Sequence, residues 1–215
     1  MSRGSDVPVG GSSVWEDITS AVDASPAHLA ILPSTTKRGR DIAARLGLTE
    51  SSTLGALLHH CGGILVDHGR LRILAAGSGS LPDVLTASRS RRGVLVVGHD
   101  AFGGRFAIDA GGLGVGHGQV CYFGPDTLHW RGTGMSHGAF VRWAIDGGSE
   151  SFYASWRWRG WEQEIGALRL NQALSTQPPL FSREGRNISL TRRKPVPFDK
   201  LVAFLEESAH PRAGS

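Results

Sequence analysis

Short apolar runs separated by glycine-rich turns occupy the middle of the chain, and amphipathic stretches flank them. In the best-defined run, Gly93–Asp109, β-branched and leucine residues enter a turn that contains Asp100 and Gly103-Gly104, and an alternating apolar stretch leaves it. Tight hairpin turns favour aspartate and glycine, because these turns need positive φ angles. The pattern predicts a β-hairpin at the centre of a sheet.

Other segments predict strands because each is an apolar run that ends at a turn residue. They are 29–32, 64–66, 71–74, 120–123, 174–176 and 187–191. The runs 64–66 and 71–74 flank Asp67–Arg70, whose residue types suit a second hairpin turn. The Gly/Ser/Arg-rich interval 76–92 is interpreted as a linker.

Segments that predict helices have apolar residues three or four positions apart, often behind a capping serine or threonine. They are 14–22, 37–46, 54–61, 140–145, a segment beginning near Ser149, and 198–207. Gly62-Gly63 is expected to stop the third helix with a left-handed glycine. Helices and strands do not alternate as βαβ units, so we predict an α+β fold: a mostly antiparallel sheet of about five or six strands with helices packed on it.

The 215 residues are enough for one domain with a full core. We predict a disordered N-terminal segment at 1–12, a single α+β domain at 13–208 and a frayed C-terminal tail at 209–215. The chain has 23 Lys and Arg against 19 Asp and Glu, and its basic clusters at 89–92 and 191–194 are short. Nucleic-acid binding usually needs a continuous basic face, so the sequence does not favour a nucleic-acid partner.

Cysteine usage and hydropathy predict a cytoplasmic protein with no membrane association. Cys61 and Cys121 have no metal-ligand spacing and suit reduced, buried thiols, although the sequence leaves a single disulfide open. The N-terminus lacks the apolar run of a signal peptide, and no stretch approaches the length of a membrane span.

Several segments resemble a bacterial family catalogued only as domain of unknown function 2625. They are Leu54–Leu58, Cys61–Gly69, Leu71–Leu74, Tyr122–Leu128 and Trp158–Glu162. The resemblance extends over roughly residues 14–205, which is essentially the whole predicted domain.

A more distant resemblance is to the SUKH superfamily, the cell-wall-assembly-regulator type of α+β domain. Gly62-Gly63 corresponds to the motif that ends a helix before the sheet, and Asp100–Gly104 corresponds to the central hairpin turn. The chain departs from the pattern at Cys61, where many members carry Asn, and in its long C-terminal extension. Many bacterial members are immunity proteins that bind a toxin, so the resemblance implies a SUKH-like fold and a protein partner.

Histidines form the densest group of potential metal ligands, at His59-His60-Cys61 and Asp67-His68. Adjacent residues of a helix point about 100° apart, so His59 and His60 do not face one ion from one helix face. Zinc sites favour spaced ligand pairs, which are absent from this sequence. We therefore predict no metal site and no cofactor, with one of the two adjacent histidines buried and the other exposed.

A second group suggests acid–base chemistry. In a general-base interpretation Asp100 orients His99, but an aspartate at a turn more commonly accepts backbone N–H groups. No nucleophile motif accompanies the pair, so we predict no catalytic residue. Gly111–Gly118 lacks the lysine and hydroxyl of a phosphate-binding P-loop and is interpreted as a flexible hairpin connection. The alternative function is a small-ligand-binding protein or enzyme that uses His99, Asp100 and His117.

Tryptophans are concentrated between residues 130 and 161, and Trp156 and Trp158 alternate with Arg157 and Arg159. Aromatic and guanidinium groups are favoured at protein interfaces, although these rings could equally pack the last helices onto the sheet. We predict a non-enzymatic protein-binding module, with an immunity role implied by the SUKH resemblance. Its contact surface is expected to combine the turns 67–70 and 100–104 with the segment 156–161. The candidate binding residues are Asp67, His68, Arg70, His99, Asp100, Trp156, Trp158 and Trp161.

Overall fold

A computed structural model describes residues 12–210. The predicted N-terminal segment, apart from Ser12, and residues 211–215 of the tail predicted at 209–215 lie outside the described residues, whereas Ala209 belongs to the last helix. In chain order the elements are α1 (Val14–Asp23), β1 (Leu29–Leu32), α2 (Thr36–Leu46), α3 (Thr53–His60), β2 (Gly63–Val66), β3 (Leu71–Leu74), α4 (Val84–Ala87), β4 (Val94–Asp100), β5 (Arg105–Asp109), β6 (Val120–Phe123), β7 (Trp130–Met135), α5 (His137–Ile145), α6 (Gly148–Phe152), α7 (Trp161–Gly166), β8 (Gln172–Gln177), β9 (Arg192–Pro197) and α8 (Phe198–Ala209). Three 3₁₀ turns cover Ala154–Trp156, Glu184–Arg186 and Ile188–Leu190.

The predicted α+β class is confirmed. Strands β1 to β7 form one antiparallel sheet in sequential order, and β8 and β9 form a separate antiparallel pair. The main sheet thus has slightly more strands than expected. The added strand is β7, an edge strand whose two glycines and largely exposed side chains hide the usual strand pattern.

Both predicted hairpins are confirmed, and β4 is the middle strand of the seven. In the β4–β5 turn, the Asp100 carboxylate accepts the backbone N–H groups of Phe102 and Gly104 at 2.8 and 2.9 Å. In the β2–β3 turn, Asp67 and His68 adopt φ angles of 57° and 61°. Aspartate tolerates this left-handed conformation better than most residues.

The predicted starts of the helices agree with the structure better than the predicted ends. The sequence allows either Ser52 or Thr53 to open α3, and Ser52 is the cap, with its hydroxyl accepting the Gly55 N–H at 3.1 Å. The predicted left-handed stop after α3 is wrong: the helix ends at Cys61 in extended backbone, and Gly62 N–H donates to Leu32 O at 2.8 Å. Pairing with the end of β1 draws the chain directly into the sheet. Helix α6 begins at Gly148, next to the predicted start near Ser149, and it follows Gly147 without a side-chain cap.

Two predicted irregular or extended intervals have different structures. The interval 76–92 is not a linker, because it contains α4 and buries Leu81 and Val84. The predicted strand at 187–191 is a 3₁₀ turn, and β9 begins only at Arg192. The Asn187 side chain accepts the Ser189 N–H at 3.2 Å, and this local bond competes with strand pairing.

The two faces of the main sheet carry different layers. On one face Phe106 packs against Phe140 of α5, with ring centroids 4.8 Å apart. On the other face Arg105 forms an ion pair with Glu206 of α8 at 2.6 Å. Phe106 and Arg105 are neighbours in β5, so the alternation of side chains along a strand assigns each residue to its layer. Within residues 12–210 no helix is both long and apolar enough to cross a membrane.

Candidate functional site

An aromatic pocket of about 450 Å³ opens beside β6 and β7. Five aromatic residues line it together with a polar rim. The rings are Phe106, Tyr122, Trp143, Phe152 and Trp156, and the polar residues are Asp126, Thr127, Arg131, Thr133 and Ser155. A concave site of this size, with mostly aromatic walls and a few polar groups, is typical of a small-ligand site.

The rings of this aromatic pocket support one another. Phe106 and Tyr122 are register partners on β5 and β6, and their ring centroids lie 4.6 Å apart. Phe152 stands edge-on to Tyr122 at 5.1 Å and to Trp143 at 5.6 Å. These offset and edge-to-face contacts are the favoured geometries for aromatic pairs, so the wall is formed before a ligand arrives.

Behind the wall, Asp100 fixes the position of Tyr122. The Tyr122 hydroxyl donates to Asp100 Oδ2 at 2.7 Å, and the Tyr153 hydroxyl donates to the same oxygen at 3.3 Å. Burial raises the pKa of the Asp100 carboxyl, while the tyrosine and backbone donors oppose that shift. The pKa values of both tyrosines are well above the usual range, because burial and the nearby carboxylate disfavour a second negative charge. Asp100 is therefore the turn residue that the sequence predicts, with an additional role in holding the pocket.

The predicted constellation of His99, Asp100 and His117 does not form. His99 is buried on the opposite face of the sheet from Asp100 and stacks on Phe198 with ring centroids 4.1 Å apart. Burial and the neighbouring Arg72 charge lower the pKa of His99 well below its usual value. His117 is exposed beside Asp109, at the other end of β5. Strand alternation already implied the separation of His99 from Asp100.

Four of the predicted binding residues do come together. Asp67, His68 and Trp161 line a second pocket of about 300 Å³ together with Arg157, and Arg70 is buried behind this lining. The Arg70 guanidinium carbon lies 3.7 Å from the Trp161 ring centroid. We call this second site the arginine pocket.

The remaining predicted binding residues do not lie at one common site. Trp156 lines the aromatic pocket, whereas Trp158 is buried and donates its indole N–H to Glu164 Oε2 at 2.7 Å. The turn Asp100–Gly104, expected as part of a contact surface, is buried throughout. A partner cannot touch this turn directly, because other parts of the chain already cover it.

The backbone of the glycine-rich loop 111–118 binds the carboxylate of Asp109, a side chain of the same protein. The backbone N–H groups of Gly111, Leu113, Val115 and Gly116 donate to the Asp109 carboxylate at 2.9 to 3.1 Å. Converging backbone N–H groups form an anion-binding nest. These bonds hold the pKa of Asp109 well below its usual range.

His59 and His60 meet a carboxylate instead of a metal. His59 Nδ1 lies 2.8 Å from one Glu50 oxygen, and His60 Nε2 lies 3.1 Å from the other. Within the described residues no three metal-binding side chains gather around one point. His60 is the more exposed of the two rings, and His59 is partly covered.

Sequence reasoning missed the aromatic pocket because its residues come from four separate segments. The sequence predicts no binding role for Tyr122, Trp143, Phe152 or Tyr153. The available signal was the concentration of aromatic residues between 122 and 161. That signal indicates packing or binding but does not identify which rings share a cavity.

Comparison with known proteins identifies relatives over most of the chain. The family model described as protein of unknown function DUF2625 matches residues 9–201. A putative uncharacterized protein YbfG of Escherichia coli strain K12 is 33% identical over 204 residues, covering 90% of this chain and 94% of the relative. An uncharacterized protein of Haemophilus influenzae strain Rd is 28% identical over 191 residues, covering 85% of this chain and 83% of the relative. These matches confirm the first of the two resemblances.

Proposed function

We propose that this protein, which belongs to the family described as protein of unknown function DUF2625, is a binding protein that holds a compact, largely apolar organic ligand in its aromatic pocket. The observation that carries the proposal is the wall of five aromatic rings around about 450 Å³. Stacking and edge contacts with such rings bind flat or compact apolar groups, and the polar rim orients them.

Preorganisation supports this proposal. Tyr122 is held from behind by Asp100, and Phe152 is braced by Tyr122 and Trp143. A wall that is already ordered loses little conformational entropy when a ligand binds. The side chain of Phe152 remains 42% exposed, so a ligand can cover apolar surface that now faces solvent.

The hydrogen bonds of the buried Asp100 carboxylate favour a binding function over catalysis. Asp100 Oδ1 accepts two backbone N–H groups, and Oδ2 accepts two tyrosine hydroxyls. A general base must reach the proton that it abstracts, and both Asp100 oxygens are engaged away from the pocket space. His99 lies on the other face of the sheet and cannot assist.

The test is a calorimetric binding titration of the full chain with indole as the probe, supported by the thermal shift that indole produces. Phe152→Ala is expected to weaken indole binding about tenfold, because it removes one ring of the wall. Phe204→Ala is a matched control, since Phe204 is 43% exposed on α8, outside the pocket. Absence of indole binding to the unmodified protein, or equal effects of the two substitutions, would contradict the proposal.

A protein partner is the second candidate, and the exposed Phe152 ring favours it. Phe152 and the β7 residue Arg131 border the same pocket, and β7 is an edge strand of the sheet. A partner segment placed along this edge could insert an apolar side chain among the rings. The SUKH relationship and the immunity role rest on the sequence resemblance alone. A pull-down from the host in which F152A loses a partner and F204A retains it supports this candidate.

We also propose that the protein resides in the cytoplasm. Cys61 and Cys121 are both buried and unpaired, which suits a reducing compartment. Burial raises the pKa of the Cys61 thiol to about 12, so it stays protonated and unreactive at neutral pH. Fractionation of the host with an antibody against the full chain tests the location.

A further inference from the structure

The arginine pocket brings four separate segments to one cavity of about 300 Å³. They are the α1–β1 connection, the β2–β3 turn, the start of α6 and the segment that leads into α7. Asp67, Arg157 and Glu150 provide its charged lining, and His28 stacks on His68 with ring centroids 4.1 Å apart. This pocket is separate from the aromatic pocket and shares no lining residue with it.

Three side chains at this pocket have buried polar atoms with no hydrogen-bond partner within residues 12–210. The atoms are Asp67 Oδ2, Arg70 Nε, Arg70 Nη2 and Arg157 Nε. Asp67 Oδ2 lies 3.8 Å from Arg70 Nε and 3.6 Å from Arg157 Nη2, which is too far for a normal hydrogen bond. Buried polar groups are nearly always paired in folded proteins, and these enclosed atoms are held by charge alone, so a group that binds beside them must complement that charge.

The charges of the cluster indicate what that group is. Arg70 and Arg157 contribute two positive charges and Asp67 one negative charge, which leaves the inner part of the site with one uncompensated positive charge. Glu150 adds a negative charge at the rim, but its side chain is 75% exposed and lies 3.2 Å from Arg157 Nη1. Exposed ion pairs of this kind are weak and readily displaced. An incoming anion can therefore compete with Glu150 for Arg157.

We propose that the arginine pocket binds a phosphate group. A phosphate in the pocket accepts hydrogen bonds from the Arg157 guanidinium in place of Glu150, whereas the enclosed polar atoms of Asp67 and Arg70 lie beyond its direct reach. Guanidinium groups are well suited to this role, because their planar N–H arrangement matches phosphate oxygens. Arg157 is the guanidinium group that a ligand can reach. Arg70 lies behind Asp67 and packs against Trp161, where it supplies a fixed positive charge.

The experiment is calorimetric titration of the full chain with sodium phosphate against sodium chloride of equal ionic strength. Arg157→Gln is expected to weaken phosphate binding about tenfold, because it removes a charge-assisted contact. Arg142→Gln is the matched control, since Arg142 is 66% exposed and pairs only with Asp146 within the described chain. It should leave the affinity unchanged.

Glu150→Gln separates a binding role from a structural one. If Glu150 competes with the ligand, this substitution should tighten phosphate binding several-fold, whereas a purely structural ion pair predicts no gain. The proposal is overturned if phosphate and chloride give the same heat with the unmodified protein, or if R157Q binds phosphate as tightly as R142Q. Thermal denaturation of each variant confirms that it is folded.

A parallel titration with glycerol 3-phosphate identifies the source of the phosphate group. Tighter binding of the ester than of inorganic phosphate indicates a phosphorylated organic molecule, for which the cavity of about 300 Å³ leaves room. Equal or weaker binding of the ester indicates free phosphate. Both results retain the assignment of the site, which is tested by the comparison with chloride and by R157Q.

Discussion

Tyr122 and Asp100 join the wall of the aromatic pocket to the central turn of the sheet. The tyrosine ring faces the pocket, and its hydroxyl donates to the buried Asp100 Oδ2 at 2.7 Å. The other oxygen of the same carboxylate closes the β4–β5 turn through two backbone N–H groups. One buried carboxylate thus determines both the bend of the hairpin and the position of a ring that a ligand would contact.

Loss of the tyrosine hydroxyl should destabilise the fold. Tyr122→Phe leaves a buried carboxylate oxygen with one donor fewer, and we expect the free energy of unfolding to fall by about 2 kcal/mol. Tyr153→Phe should cost less, because its hydroxyl lies 3.3 Å from the same oxygen. Urea denaturation followed by tryptophan fluorescence measures both, and a larger loss for Y153F would contradict the assignment.

Gly104 should not tolerate any side chain. A Cβ at this position would collide with Asp100 Oδ2 and the Tyr122 hydroxyl. We expect Gly104→Ala to lower the free energy of unfolding by about 3 kcal/mol, since overpacking a buried network forces its members apart. Gly166→Ala provides the control, because a Cβ there meets nothing within 4 Å. Equal denaturation midpoints for the two variants would refute the steric explanation.

His137 should make the protein sensitive to acid. Neither ring nitrogen has a hydrogen-bond partner within residues 12–210, and burial lowers the pKa of His137 from 6.5 to about 4. Between these values the unfolded chain takes up a proton that the folded chain excludes, so stability falls as the pH decreases from 6.5 to 4. The loss amounts to about 3 kcal/mol for a shift of this size.

Replacement of His137 tests this pH dependence. His137→Leu should flatten the curve of unfolding free energy against pH in that window, whereas His117→Leu, at an exposed position, should leave the curve unchanged. Denaturant titrations at several pH values measure the difference. A parallel curve for H137L and the unmodified protein would show that another group causes the acid sensitivity.

The loop 111–118 should depend on the Asp109 carboxylate. Asp109→Asn replaces an acceptor of four backbone N–H bonds with a neutral amide, so we expect faster amide hydrogen exchange throughout the loop. Because these bonds lower the pKa of Asp109, they stabilise the folded protein fully at pH values above the ordinary pKa of aspartate. Their contribution to stability declines as the pH falls below that value. Asp146→Asn, at an exposed ion pair, should leave exchange in the loop unaltered.

Much of the secondary structure could be predicted because local chemistry fixes it. Ser13 and Ser136 cap their helices by accepting the N–H groups of Glu16 and Ala139, a pattern visible within four residues of sequence. The prediction failed where distant pairing replaced local preference. Cys61 ends α3 in extended backbone because the next residue pairs with the end of β1.

Residue patterns along the chain were enough to predict the α+β class, the two hairpins with their turn residues, and the family. Which side chains share a site depends on how distant segments pack. Packing across the sheet brought Asp67 and Trp161 to one pocket and assembled another from rings such as Phe106 and Phe152. Turn and cap preferences act through contacts a few residues apart, whereas a cavity depends on how whole layers pack across the sheet.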